Sequence, residues 1–169
     1  MQQLMKMLTV GLLVCAMMSL SRVVGDSHLV KEPATCPSGW TDFNGRCFLY
    51  VPTEMTWAYA EKNCLSHGGN LASVHSTDEY QVIQIMISNF NDSYPLTWLG
   101  GTDAQQEGTW FWSDGSSFKF KYWSQSQPDN RGSAHCMLMN FGDERKFDDQ
   151  PCSKMKPSVC SKISDNKQT

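Results

Sequence analysis

Cysteine is the reactive side chain that recurs along this sequence, at Cys15, Cys36, Cys47, Cys64, Cys136, Cys152 and Cys160. Seven are too many for an ordinary cytosolic chain of 169 residues, and their chemistry depends on which of them survive maturation. Residues 1–25 carry Lys6, an apolar run from Met7 to Leu20, and then Ser21-Arg22-Val23-Val24-Gly25 with a small side chain at the end. This is the layout of a secretory signal peptide. The apolar run is shorter than the roughly 20 residues that span a bilayer, which argues against an uncleaved anchor. Cleavage near Gly25 removes Cys15 and leaves six cysteines, an even set suited to three disulfides in an oxidising compartment, with every pairing still open by counting. Thiols tied up in this way cannot act as nucleophiles.

The remaining reactive groups form no catalytic pattern. His28, His67, His75 and His135 are scattered, and no His-Glu-x-x-His is present. Ser76, beside His75, reads as a helix cap, and His135 as an ordinary semi-exposed histidine. No enzyme is expected. Asn91-Asp92-Ser93 is an N-glycosylation sequon, chemically permitted in a secreted chain. Two polar features are left: the stretch 124–135, which contains Gln127-Pro128-Asp129, and the acidic pair Asp148-Asp149. Taken alone, the acidic pair reads as a solvated turn before Cys152.

Composition narrows the partners. Lysine and arginine number 14 against 17 aspartates and glutamates, so the chain is not a basic nucleic-acid binder. At 40% hydrophobic and 11% aromatic it can bury a core, and one compact domain is expected. No second apolar stretch could cross a membrane, so the product should be free and extracellular.

The elements that must position these groups follow from local pattern. Residues 26–35 are polar, contain Pro33 and read as a flexible leader. Trp40–Phe43, Asn44-Gly45 and Arg46–Val51 predict strand, turn and strand, because Asn-Gly supplies the positive φ values of a type I′ hairpin. From Thr56 to His67, Trp57, Ala60, Cys64 and Leu65 recur at helical spacing before Gly68-Gly69, which predicts an amphipathic helix ended by glycine. Ser76-Thr77-Asp78-Glu79 predicts a second helix start, with Ser and Glu satisfying each other's backbone amides. Tyr80, Ile83 and Ile87 carry its apolar stripe. Short aromatic strands are predicted at 96–101, 108–112 and 118–123, and closing strands at 136–141 and 158–163. Two helices followed by a β-rich half indicate an α+β domain. Residues 164–169 read as a polar tail.

These residues together resemble the long-form C-type lectin-like domain. The resemblance spans 36–163 and rests on Cys36-Pro-x-Gly-Trp40, Trp57-Ala-x-Ala-Glu-x-x-Cys64, Leu71-Ala-Ser-Val-His-Ser76, Trp98-Leu-Gly-Gly101, Trp110-Phe-Trp-Ser-Asp-Gly115, Gln127-Pro-Asp129 and the terminal Cys136, Cys152 and Cys160. It implies two helices, small antiparallel sheets, a long polar loop region and three disulfides, Cys36–Cys47, Cys64–Cys160 and Cys136–Cys152. Within the family, Asn44-Gly-Arg-Cys-Phe48 and Asn70-Leu-Ala-Ser-Val-His75 are similar to fish ladderlectin-type soluble lectins and the related type II antifreeze proteins. The antifreeze branch carries extra cysteines where this chain has Ala104, Ser124 and His135, which favours the lectin branch.

The resemblance also implies a Ca²⁺ site and a sugar site built from the same side chains. Gln127 and Asp129 match the tripeptide ligands, with Pro128 cis, and Asp148 and Asp149 stand where an Asn-Asp pair is expected. Calcium takes six to eight oxygens, and a proline-fixed turn that presents two carbonyl-type side chains suits it. Gln-Pro-Asp order is similar to galactose-type sites. Two positions depart from the pattern: Ala134 replaces an acid before Cys136, and Phe147 replaces a tryptophan. The implied function is carbohydrate recognition, of microbial or galactose-type glycans, in innate defence. The rival expectations are ice binding on the same scaffold and a calcium-independent protein-interaction module. Oligomeric state is left open.

Overall fold

Asn44 and Gly45 both adopt positive φ, 50° and 76°, and turn the chain between β1 (Thr41–Phe43) and β2 (Arg46–Met55). That is the backbone twist a two-residue hairpin needs. The structure is a computed structural model that describes residues 35–164. The expected signal peptide, nearly all of the leader and the tail beyond Ser164 lie outside the described residues.

Helix α1 (Trp57–Ser66) buries Ala60 and Cys64 and ends where Gly68 takes a φ of 77°. The next glycine is required for a different reason: a Cβ on Gly69 would lie 2.3 Å from the Ser161 carbonyl oxygen. Helix α2 (Thr77–Asn91) begins at Ser76, whose hydroxyl accepts the Glu79 amide at 3.1 Å. The reciprocal bond differs from the expected one, because the Glu79 carboxylate accepts the amide of His75 and not that of Ser76. Tyr80, Ile83 and Ile87 form the buried stripe of α2.

The strands β3 (Asn70–Leu71), β4 (Thr97–Thr102), β5 (Phe111–Trp112), β6 (Cys136–Phe141), β7 (Lys146–Gln150) and β8 (Lys156–Ile163) join the hairpin in one pairing network. Its order is β1-β2-β8-β4-β6-β7, with β3 on β8 and β5 on β4. All pairings are antiparallel except the β4–β8 junction at Trp98 and Ser158. Trp98 is fully buried there and its indole nitrogen donates to the Met55 carbonyl at 3.0 Å, while Trp57 donates to the Leu99 carbonyl at 2.8 Å. Trp57 and Trp98 thus satisfy their single donor, whereas the indole nitrogens of Trp110 and Trp112 are buried without an acceptor.

All three disulfides form, Cys36–Cys47, Cys64–Cys160 and Cys136–Cys152. Two elements depart from the sequence reading. Residues 118–123 form no strand, and their backbone pairs with the sheet through an isolated bridge between Trp123 and Phe147. The alternation of Phe118, Phe120 and Tyr122 instead serves ring packing: all three are partly buried against the core, and Phe120 and Tyr122 meet Phe147 edge-on. The acidic pair is no solvated turn, since Asp148 and Asp149 sit inside β7 at 1% exposure. Among the described residues no helix is long and apolar enough to cross a membrane.

Candidate functional site

The pairing of β6 with β7 sets Met137 opposite Asp149 and Leu138 opposite Asp148. The Cys136–Cys152 bond closes the same end of this pair. The polar stretch 124–135 docks here: the Ser124 amide donates to the Phe147 carbonyl at 2.9 Å, and the Gln127–Pro128 peptide is cis. Asp149 receives the loop, its Oδ1 accepting the Asp129 amide at 2.9 Å and its Oδ2 the Asn130 amide at 2.8 Å. Asp129 in turn accepts the Arg131 amide at 3.1 Å, and its Oδ2 faces Gln127 Nε2 at 3.4 Å and Arg131 Nε at 3.2 Å. Gln127, Asp129 and Asp149 are therefore brought together, with Asp148 next to them on the strand.

The electrostatics of this cluster are unbalanced. Burial pushes Asp148 up to about 6, and the charges of Asp149 and Asp129 add to the rise, against a hydrogen bond from Gln150 that lowers it. Among the described residues these three carboxylates have one ion-pair partner, Arg131, whose side chain is 88% exposed and therefore screened. Two acceptor oxygens, Gln127 Oε1 and Asp148 Oδ1, are buried with no hydrogen-bond donor. A buried unsatisfied oxygen costs about 1–3 kcal/mol. Carboxylates that repel one another, with these two donorless oxygens among them, are suited to a hard cation such as Ca²⁺. Ala134, 1% exposed, adds no oxygen.

Sequence reasoning missed a second cluster. His135 Nδ1 lies 3.1 Å from Asp103 Oδ1 and 3.6 Å from Glu107 Oε2. The signal that would have found it is register: Thr102 pairs with Cys136 across β4 and β6, which places the residues beyond β4 beside His135.

A Ser, a His and an Asp also meet elsewhere without a catalytic arrangement. Ser73 Oγ donates to Asp114 and lies 3.0 Å from His75 Nε2. Nucleophile activation needs a histidine between the hydroxyl and the carboxylate, whereas here the buried serine sits between them and also accepts from Arg46. Burial works to raise Asp114, but hydrogen bonds from Ser116 and Ser73 and the Arg46 charge prevail and hold it below the usual carboxylate range. The cleft beside these residues, about 750 Å³, is lined by Arg46, Asn70, Asp114, Ser116 and Lys162. The Arg46 guanidinium is already engaged with Glu79, Ser73 and Ser161, so the network is structural. Asn91 is the last residue of α2, followed by exposed Asp92 and Ser93.

A family model, the lectin C-type domain, matches residues 53–162. The chain is 40% identical to a type-2 ice-structuring protein of Hemitripterus americanus, over 92% of this chain and 98% of that one. It is 37% identical to ladderlectin of Oncorhynchus mykiss, over 91% and 92%. It is 43% identical to the galactose-specific lectin nattectin of Thalassophryne nattereri, over 70% and 75%. Among solved structures, herring type II antifreeze protein superposes with a TM-score of 0.72 at 38% identity, covering 77% of this chain and all of that one. A Ca²⁺-dependent type II antifreeze protein in its Ca²⁺-free form gives 0.71 at 37% identity, over 76% of this chain and all of that one.

Proposed function

This chain belongs to the C-type lectin domain family, and we propose that within it the chain is a secreted carbohydrate-binding lectin whose sugar site is assembled on Ca²⁺. The family is typically non-enzymatic. The export reading takes residues 1–25 as a signal peptide, 26–35 as a leader, 36–163 as the binding domain and 164–169 as a tail.

One observation carries the proposal. Gln127 Oε1 and Asp148 Oδ1 are buried acceptors without donors, set among the carboxylates of Asp129, Asp148 and Asp149. Gln127, Asp129, Asp148 and Asp149 would hold the ion, and oxygen is the donor type that calcium accepts. When bound, Ca²⁺ supplies coordination sites for two vicinal hydroxyls of a sugar. The protein's own residues fix the geometry: Asp149 anchors the loop backbone, and Arg131 holds Asp129. Galactose-type glycans, including those on microbial surfaces, are the proposed ligands, by the Gln-Pro-Asp order and the similarity to a galactose-specific lectin. Retention of the secreted protein on immobilised galactose, with elution by EDTA and by free galactose, tests this. Passage through the column unretained, with no calcium heat in calorimetry, counts against it.

Similarity to ice-structuring proteins supports a second reading, ice binding on the same scaffold. Thermal hysteresis of the secreted protein decides it. Retention of a partner equally well in chelator would instead select a calcium-independent interaction module.

A further inference from the structure

Helix α2 carries a second apolar row beside its buried stripe. Val82, Ile85, Met86 and Phe90 recur at helical spacing, and the row grows more exposed toward the end of the helix. Val82 and Met86 are half-buried, with Met86 packed on the core, whereas Ile85 is 56% and Phe90 61% exposed. Phe90 meets Tyr50 edge-on at 5.3 Å, yet most of its surface stays in water. The helix stops one residue later. Asp92 takes a φ of 51° and its amide donates to the Ser88 carbonyl at 2.7 Å, which ends α2 at Asn91. Tyr94 follows, 37% exposed, with the Arg145 guanidinium carbon 3.8 Å from its ring centroid.

An apolar helix end left in water is prone to association unless something covers it. A second copy of this chain fits poorly. Aromatic side chains bury about 150–250 Å² each, and Phe90 and Tyr94 are only 61% and 37% exposed, so even with Ile85 the patch falls short of the about 800 Å² per partner of a stable interface. The sequence places a different cover within it. Asn91-Asp92-Ser93 is an N-glycosylation sequon, with Phe90 immediately before it and Tyr94 immediately after it. Asp92 and Ser93 are exposed, and residues 92–96 lie in neither helix nor strand.

We propose that Asn91 carries an N-linked glycan whose first sugars lie over Phe90 and Tyr94 and shield this end of α2 from self-association. This rests on the secreted reading, because the donor, a lipid pyrophosphate-linked oligosaccharide, is met in the secretory pathway. In the transfer a bond forms between sugar C1 and Asn91 Nδ2, and the bond from C1 to the pyrophosphate oxygen breaks. The pyrophosphate leaves with the electron pair, and the amide gives up one proton to solvent. A pyranose suits the surface that receives it. One face of the sugar ring presents C–H groups, which shed water against an aromatic ring, while the hydroxyls stay hydrated. Because the sugar is tethered beside Phe90, its contact is intramolecular and avoids the entropy cost of association. The glycan is carried and not captured, and it uses none of the residues proposed for calcium and bound sugar.

The full chain, expressed in eukaryotic secretory cells and collected from the medium, tests this with peptide-N-glycosidase. The enzyme should lower the intact mass by one glycan and convert Asn91 to aspartate in the peptide map. Asn91→Gln and Ser93→Ala should abolish that mass shift, and Ser93→Thr, which keeps the sequon, should retain it. Under native conditions, glycan removal should raise the fluorescence of ANS, a dye that reports exposed apolar surface, and shift sedimentation toward larger species. Phe90→Ser combined with Tyr94→Ser should suppress both changes. A chain recovered from the medium without a glycan overturns the proposal and leaves the export reading standing, whereas a chain retained in the cell without one removes both. Unchanged dye binding and sedimentation after deglycosylation would refute the shielding. A glycosylated protein that is already dimeric, and becomes monomeric in the double variant, would make a second copy the cover instead. A dye rise on deleting residues 26–34, with none on deglycosylation, would give that role to the leader.

Discussion

Asp149 holds the backbone of Asp129, twenty residues earlier in the chain, by accepting its amide at 2.9 Å. The other oxygen takes the Asn130 amide at 2.8 Å, so one buried carboxylate fixes the turn that follows the cis proline. Hydrogen bonds to a charged group contribute about 1.5–3 kcal/mol each. Asp149→Ala should therefore cost about 3 kcal/mol in urea unfolding and speed amide exchange at Asp129 and Asn130. It should also abolish calcium binding. Unchanged exchange at these two amides would show that the loop holds its shape without the anchor.

Asp148 predicts a pH dependence of unusual sign. Its carboxyl titrates near 3.8 when unfolded and at about 6 when folded, because burial and the neighbouring Asp149 and Asp129 disfavour the charged form. Between those values the folded protein keeps a proton that the unfolded chain releases. The stability this supplies is fully present below the unfolded value and is lost as pH rises through about 6. In EDTA, unfolding free energy should fall by about 1 kcal/mol between about pH 5 and about pH 7 through this group. Asp148→Asn should remove that part of the slope. Saturating calcium should reverse it, since the ion binds the ionised site of the folded protein alone. Equal slopes for parent and Asp148→Asn in EDTA would refute the assignment.

Local chemistry made much of this fold legible. Asn44-Gly45, the Ser76 cap and Gly68 each act within a few residues, so turn and helix ends could be read directly. Residues 118–123 could not, because period-two aromatics look alike whether they face a neighbouring strand or stack on Phe147. Asp148 and Asp149 looked like a turn because polarity hides a strand whose burial comes from β6 and the incoming loop. His135 looked ordinary because its partners are some thirty residues away, joined by a β4–β6 register that no local pattern encodes.

The two disulfides on β2 and β8 should contribute unequally. Cys64–Cys160 closes 96 residues and Cys36–Cys47 closes 11. Loop-closure entropy assigns about 4–5 kcal/mol to the first and about 3 to the second. Replacing Cys64 and Cys160 together by serine should therefore lower the urea midpoint further than replacing Cys36 and Cys47. The reverse order would mean that the α1–β8 contact holds without its covalent tie.

Arg46 should be a costly polar side chain to remove outside the proposed sites. Its guanidinium leaves β2 and meets Glu79 of α2, Ser73 before that helix and Ser161 of β8, tying three elements at one point. The Arg46 and Glu79 side chains are 15% and 7% exposed. Removing one member of such a buried pair leaves the other charged and unpaired, a loss of about 3–5 kcal/mol. Glu79 keeps the His75 amide, so Arg46→Ala should fall near the lower end, about 3 kcal/mol. Arg46→Lys should recover little, because a single ammonium cannot reach Glu79, Ser73 and Ser161 in one geometry. Arg46→Met combined with Glu79→Gln should cost less than Arg46→Ala alone, since no unpaired charge remains. Denaturant midpoints of the three variants check this, and a loss below about 1 kcal/mol in Arg46→Ala would place the pair among weak surface bridges.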